Sequence, residues 1–247
     1  MKVVELNTPD VYSKIKTQLR PFDLLAFKGP DTVSDLIRCI EAARVTRSGV
    51  HVHPADFSHV GMLVNSEILD HPMVETGKWY IWESTMSGSL TDGIKNVAGE
   101  TFLGVQLRCL DEVVQGYLKS PKAEIAWCKL KQNPLEQFTQ QSVKQRFTAV
   151  FRELDHNPYD CNIGSLFCAV YRCCRPWRTG CEALCMSGNW LFCSELVALI
   201  YRLFEVLPEA VNEKDVLPVD LIYPNQDNDS SIPLEGIVEA PVRIHIG

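Results

Sequence analysis

Apolar positions Val11, Ile15 and Leu19 recur every four residues between Pro9 and Pro21, predicting a short helix over residues 8–19 with Thr8 as its cap. The run Phe22 to Phe27, closed by Gly29-Pro30, reads as a strand. A helix follows from Asp31 or Thr32 to Ala43, since Val33, Leu36, Ile37 and Ile40 keep helical spacing. Residues 57–64 (FSHVGMLV) and 78–85 (KWYIWEST) are β-rich runs on either side of a polar loop, and they read as an antiparallel pair. Further strands are expected at Val105 to Leu110 and Glu124 to Leu130. A long helix over Leu135 to Leu154 would bury Phe138, Phe147, Val150, Phe151 and Leu154.

The stretch 161–187 is rich in cysteine and too irregular to assign. Beyond it, Leu191 to Leu207 predicts a helix whose broad apolar face comprises Leu196, Val197, Leu199, Ile200, Leu203, Phe204 and Leu207, with Pro208 as its stop. A Pro-rich tail begins near Leu217, and a last strand is expected at Val242 to Ile246. No internal repeat is visible. These elements imply one α+β domain over residues 1–247, with 161–187 as an insertion.

Composition narrows the function. Apolar residues at 46% and charged residues at 22% are ordinary globular values. A net charge of −7 argues against nucleic acid as a partner, which would require clustered Lys and Arg. The opening MKVVELNTPD lacks the apolar core of a secretory signal, and no 18-residue apolar run occurs, so neither secretion nor a transmembrane segment is expected. Seven of the ten cysteines fall between Cys161 and Cys193. Without a signal, reduced thiols in a cytoplasmic, reducing compartment are the expectation. Cys173, Cys174, Cys181 and Cys185 lack the usual paired CxxC spacing of a zinc site, and His51 and His53 sit beside Pro54 in a loop-like stretch; no metal and no cofactor is expected.

Candidate chemistry centres on Cys193. A nucleophilic cysteine needs its thiolate favoured, and helix N-termini and nearby imidazoles do this. Gly188-Asn189 is a turn and cap signal that sets Cys193 in the first turn of the following helix, where free backbone N–H groups point outward and can bind an oxyanion. The base must come from elsewhere in the fold. His59 is the best of six histidines because it lies on a strand, with Gly61 on the same face leaving space for a backbone or a substrate. If the hairpin closes symmetrically about residue 71, Val64 faces Lys78 and His59 faces Glu83, with Cβ atoms about 4.5–5.5 Å apart.

The segments FSHVGMLV, IWEST, NPYD and LFCSELVALIY together resemble the circularly permuted NlpC-type papain-like proteins, a group with bacterial YiiX-like and poxvirus-type members. The resemblance spans about residues 22 to 204. It implies a small antiparallel β-barrel or curled sheet packed against helices, with histidine and acid preceding the cysteine. Residue by residue, it implies Cys193 as nucleophile, His59 as base and Glu83 as orienting acid, with Tyr159, Asp160 and Ser194 near the substrate or oxyanion. The cysteine-rich insertion departs from the pattern. The implied activity is a cysteine hydrolase, a peptidase or amidase, acting on a peptide, amide or acyl-ester substrate through a thioester. Alternatives are an acyltransferase or lipid esterase on the same fold, a zinc-stabilised binding module, and a non-catalytic structural protein, virion-associated if the source is viral.

Overall fold

The computed structural model describes residues 4–6, 11–29, 57–85, 93–158, 191–223 and 236–244. The first half comprises β1 (Val4–Leu6), α1 (Val11–Lys16), β2 (Leu24–Lys28), β3 (His59–Val64), β4 (Tyr80–Thr85) and β5 (Gly104–Cys109). The second comprises α2 (Leu110–Leu118), β6 (Glu124–Cys128), α3 (Pro134–Gln137), α4 (Gln140–Leu154), α5 (Cys193–Leu203), α6 (Pro218–Ile222) and β7 (Val242–Ile244). The helix expected at 31–43 and the cysteine-rich stretch lie outside the described residues.

The strands form one sheet in the order β1-β7-β6-β2-β3-β4-β5. Every neighbouring pair is antiparallel except β1 with β7. The expected barrel is therefore corrected to an open sheet with β1 and β5 at its edges. The reason is that both faces are already buried against helices. Ala26, Val60, Met62 and Trp82 pack with Phe147, Phe151, Leu196 and Ile200 of α4 and α5. Leu25, Phe27, Leu63 and Ile81 pack on the opposite side with Ile15 of α1 and Val113, Val114 and Tyr117 of α2. Tyr201 of α5 donates from its hydroxyl to the Phe22 carbonyl at 2.6 Å, pinning the helix to the chain that enters β2.

Two helical expectations change. The helix expected over 135–154 is broken in two, because the Thr139 hydroxyl accepts the Ser142 N–H and opens a new helix after α3. α2 occupies the end of a segment expected to be strand only as far as Leu110; its buried residues Leu110, Val113, Val114 and Tyr117 have the 3–4–7 spacing of a helix face. In the tail, Pro218 opens α6, and the Asp220 carboxylate accepts the Leu217 N–H at 2.9 Å.

The β3–β4 register also differs from expectation. Met62 pairs with Trp82, Leu63 with Ile81 and Val64 with Tyr80, so the predicted Val64–Lys78 pair is two residues out. Lys78 is held instead in a turn, its N–H bonded to the Glu75 carbonyl, and the loop starts with Ile68 and Leu69 turned back onto the Asn65 carbonyl. A shift of two keeps every side chain on its face, whereas a shift of one would reverse them all.

Continued one step, this register sets Gly61 opposite Glu83. A Cβ at Gly61 would lie 2.5 Å from Cδ1 of Ile81 and 3.2 Å from Cβ of Glu83. The space beside His59 is therefore filled by the Ile81 side chain, in place of the backbone or substrate expected there. Ile81 is wholly buried and cannot swing clear. Gly61→Ala is expected to destabilise the fold by about 1–3 kcal/mol through overpacking. Chemical denaturation measures this, and an unchanged midpoint would show that Ile81 has room to move.

Candidate active site

Cys193 is the first residue of α5. Three bonds hold the approach to it: Ser84 Oγ donates to the Leu191 carbonyl at 2.6 Å, Phe192 N–H donates to the Glu195 carboxylate at 2.9 Å, and Ser194 Oγ donates to the Val216 carbonyl at 2.7 Å. The Glu195 bond is the reciprocal half of a capping box, supplied three residues into the helix. Together they fix the backbone around a free thiol that is only 4% exposed.

His59 opens β3 and Glu83 lies in β4. The His59 ring uses Nε2 to meet Glu83 Oε2 at 2.6 Å. Its other nitrogen, Nδ1, is not taken by Glu83, and the Cys193 side chain is close enough to the same imidazole to act on its charge. The pair His59–Glu83 is thus diagonal across the shifted register, and a long carboxylate side chain spans the extra distance.

On its other oxygen, Oε1, Glu83 accepts from Nε of Arg108 at 2.9 Å and from Nη2 at 2.6 Å. Arg108 lies in β5, two residues beyond Gln106, the residue opposed to Glu83. Gln106 itself turns away, donating to the Phe102 carbonyl at 2.8 Å and to Thr85 Oγ1. Glu83 is completely buried and the Arg108 side chain nearly so, while His59 retains 17% of its side-chain surface. One edge of the ring therefore remains open to solvent at the end of a line of buried charge.

Burial alone would raise the Glu83 carboxyl, yet Arg108 and then His59 hold it below the ordinary carboxylate range. For His59, burial acts against the imidazolium, but the charge and hydrogen bond of Cys193, followed by those of Glu83, push it up to about 10. Imidazolium, carboxylate and guanidinium so form a line of alternating charge that ends beside the Cys193 side chain.

No protein-family model and no curated protein matches this sequence. Among solved structures, it is similar to metalloprotein yiiX from Escherichia coli O157:H7 (DUF1105). That similarity covers 93% of this chain and 98% of the other, at 15% identity and a TM-score of 0.43.

Of the residues singled out in the sequence, Cys193, His59 and Glu83 come together. Ser194 lies beside them, but its hydroxyl is committed to Val216. Tyr159 and Asp160 lie outside the described residues, as do Cys173, Cys174, Cys181, Cys185, His51 and His53. Among the described residues, no cluster of His, Cys, Asp and Glu is arranged to hold a metal, and no helix is long and apolar enough to cross a membrane. A cavity of about 950 Å³ lies at the start of β4, between Tyr80, Asn96, Cys109 and Lys119, and does not touch His59 or Cys193.

Sequence reasoning missed Arg108. The alternation in Val105-Gln106-Leu107-Arg108 reads as a half-exposed strand with its polar side in water, whereas both faces are covered and Gln106 and Arg108 are each 2% exposed. A guanidinium and a carboxylate on neighbouring strands, on a face that cannot reach solvent, was the available signal.

These shifts fix a pH signature. The lowered Glu83 group contributes stability above its ordinary value of 4.5, lost as pH falls through its lower native value; the raised His59 group contributes below 6.5, lost as pH rises toward about 10. The melting-temperature gap between wild type and Glu83→Gln should therefore narrow in acid. The gap to His59→Gln should narrow in alkali. Gaps that stay constant from acid to alkali would contradict both charge assignments.

Proposed function

We propose that the protein is a cysteine hydrolase, a peptidase or amidase, in which Cys193 is the nucleophile, His59 its general base and Glu83 the group that orients the base. One observation carries the reading: a single imidazole meets a buried carboxylate through Nε2 and lies next to the cysteine that opens a helix. The sequence order of histidine, acid and cysteine in the permuted papain-like pattern supports it as well.

In this mechanism Nδ1 of His59 takes the thiol proton, and the sulfur attacks the substrate carbonyl carbon. The π electrons move onto oxygen, and backbone N–H groups at the start of α5 stabilise the resulting oxyanion. When the intermediate collapses, the carbon–nitrogen bond breaks, the imidazolium protonates the departing amine, and a thioester remains on Cys193. His59 then deprotonates water, which attacks the thioester, and the acid product leaves with the thiol restored. Glu83 keeps the ring facing sulfur throughout and offsets the positive charge it carries in each half-reaction.

The test is a screen of activity-based probes with peptide, isopeptide and lipid-ester electrophiles. Wild type should be modified at Cys193, and a preference for the lipid ester would redirect the reading to acyl transfer. Cys193→Ala should fold and lose turnover, and His59→Ala should lose roughly 10²–10⁴ of the rate. Turnover retained in either variant would end the assignment.

A further inference from the structure

We propose that Arg108 is a positioning residue that keeps the shared proton on His59 rather than on Glu83, and so keeps the ring a cation beside the Cys193 sulfur. For its effect on turnover this rests on the hydrolase reading; for its effect on the ring it does not.

The Glu83 carboxylate is divided between two partners. Nε and Nη2 of Arg108 donate to Oε1, at 2.9 and 2.6 Å, and among the described residues Oε2 is left to His59 Nε2 at 2.6 Å. The proton between Oε2 and Nε2 lies in a short hydrogen bond between two potential bases. Its side is decided by which base is better supported as an ion. Glu83 is fully buried, and an isolated carboxylate at that depth is strongly disfavoured. The guanidinium reverses this preference because it cannot lose its proton and meets Oε1 through two N–H groups.

If the guanidinium is removed, the proton is expected to move to Oε2. Glu83 then becomes a neutral acid that donates to Nε2, which must accept. A neutral ring accepting at Nε2 carries its hydrogen on Nδ1, and the Cys193 sulfur then faces a neutral donor in place of the imidazolium that favours its thiolate. Proton and charge balance: one proton leaves Nε2, one arrives on Oε2, and the ring loses the positive charge that the carboxylate loses as negative. Among the described residues, the charged or titratable groups facing the ring are Cys193 from α5 and Glu83 from β4, and Phe27 of β2 packs against it as an apolar neighbour.

Arg108 is well placed for such a role because its backbone is fixed on both sides. It pairs with Ile81 of β4 and bridges to Asn96 on its outer side, while Leu107 beside it accepts the Val97 N–H. A guanidinium on so rigid a strand holds Oε1 in one position.

The experiment compares wild type, Arg108→Met and Arg108→Lys by ¹⁵N spectroscopy of the His59 ring and by the pH dependence of Cys193 alkylation with iodoacetamide. Near neutral pH the wild-type ring should show both nitrogens protonated. In Arg108→Met, Nε2 should take the deprotonated signature and alkylation near pH 6.5 should fall at least about tenfold. Arg108→Lys should restore both signals in large part, because it returns a buried cation to Oε1. If Arg108→Met does not fold, Arg108→Lys alone decides: a wild-type Nε2 signature supports the role, and a deprotonated Nε2 with the lysine charge in place overturns it. A folded Arg108→Met with wild-type ring signals and alkylation profile also overturns it. Neither readout needs a substrate, so a failed hydrolase assignment would appear separately, as absent turnover with the ring signature intact.

Discussion

The arrangement depends on one carboxylate held ionised where water does not reach. Glu83 has no exposed surface, and it stays charged because each oxygen faces a different cationic partner, Arg108 on one side and His59 on the other. The three residues come from three adjacent strands, so the side-chain line runs across β3, β4 and β5 and adds to the backbone ladder that joins them. Removing any one leaves a buried ionic contact unmade, a loss more costly than that of an exposed ion pair.

Much of this geometry was legible in the sequence, because parity is more robust than register. The hairpin closes two residues away from the symmetric expectation, yet His59 and Glu83 still share a face, and the longer diagonal is spanned by a side chain with enough reach. The start of α5 was similarly readable: the apolar spacing from Leu196 onward requires the helix to begin near Cys193, and the Glu195 carboxylate three residues past Phe192 completes the signal.

What stayed hidden did so for identifiable reasons. Arg108 and Gln106 alternate with apolar residues as they would on a strand with one wet face, yet each is 2% exposed, on the face of the sheet that α2 also packs against. α2 was itself obscured by the strand that runs directly into it, with Cys109 serving as both the last strand residue and the helix cap. The open sheet follows from the same fact. Helices on both faces leave no reason for the sheet to curl into a closed barrel, and that layering is a property of tertiary packing that strand patterns alone do not encode.

The line of charge is better explained by chemistry than by stability. Buried ion pairs are often replaceable by apolar side chains of similar volume without loss, and sometimes with gain, so four coupled polar groups beneath a sheet are weak evidence of a need for stability. Nearby, the same sheet is filled by Phe27, Leu63 and Ile81, and a continuous apolar face was available at Glu83 and Arg108. The sulfur at one end and the partly open imidazole next to it give those charges something to act on. A guanidinium that merely filled space would have no reason to direct Nε and Nη2 at a single oxygen and leave the other for a histidine. The division of the carboxylate is what links the packing of β5 to the protonation of a ring two strands away.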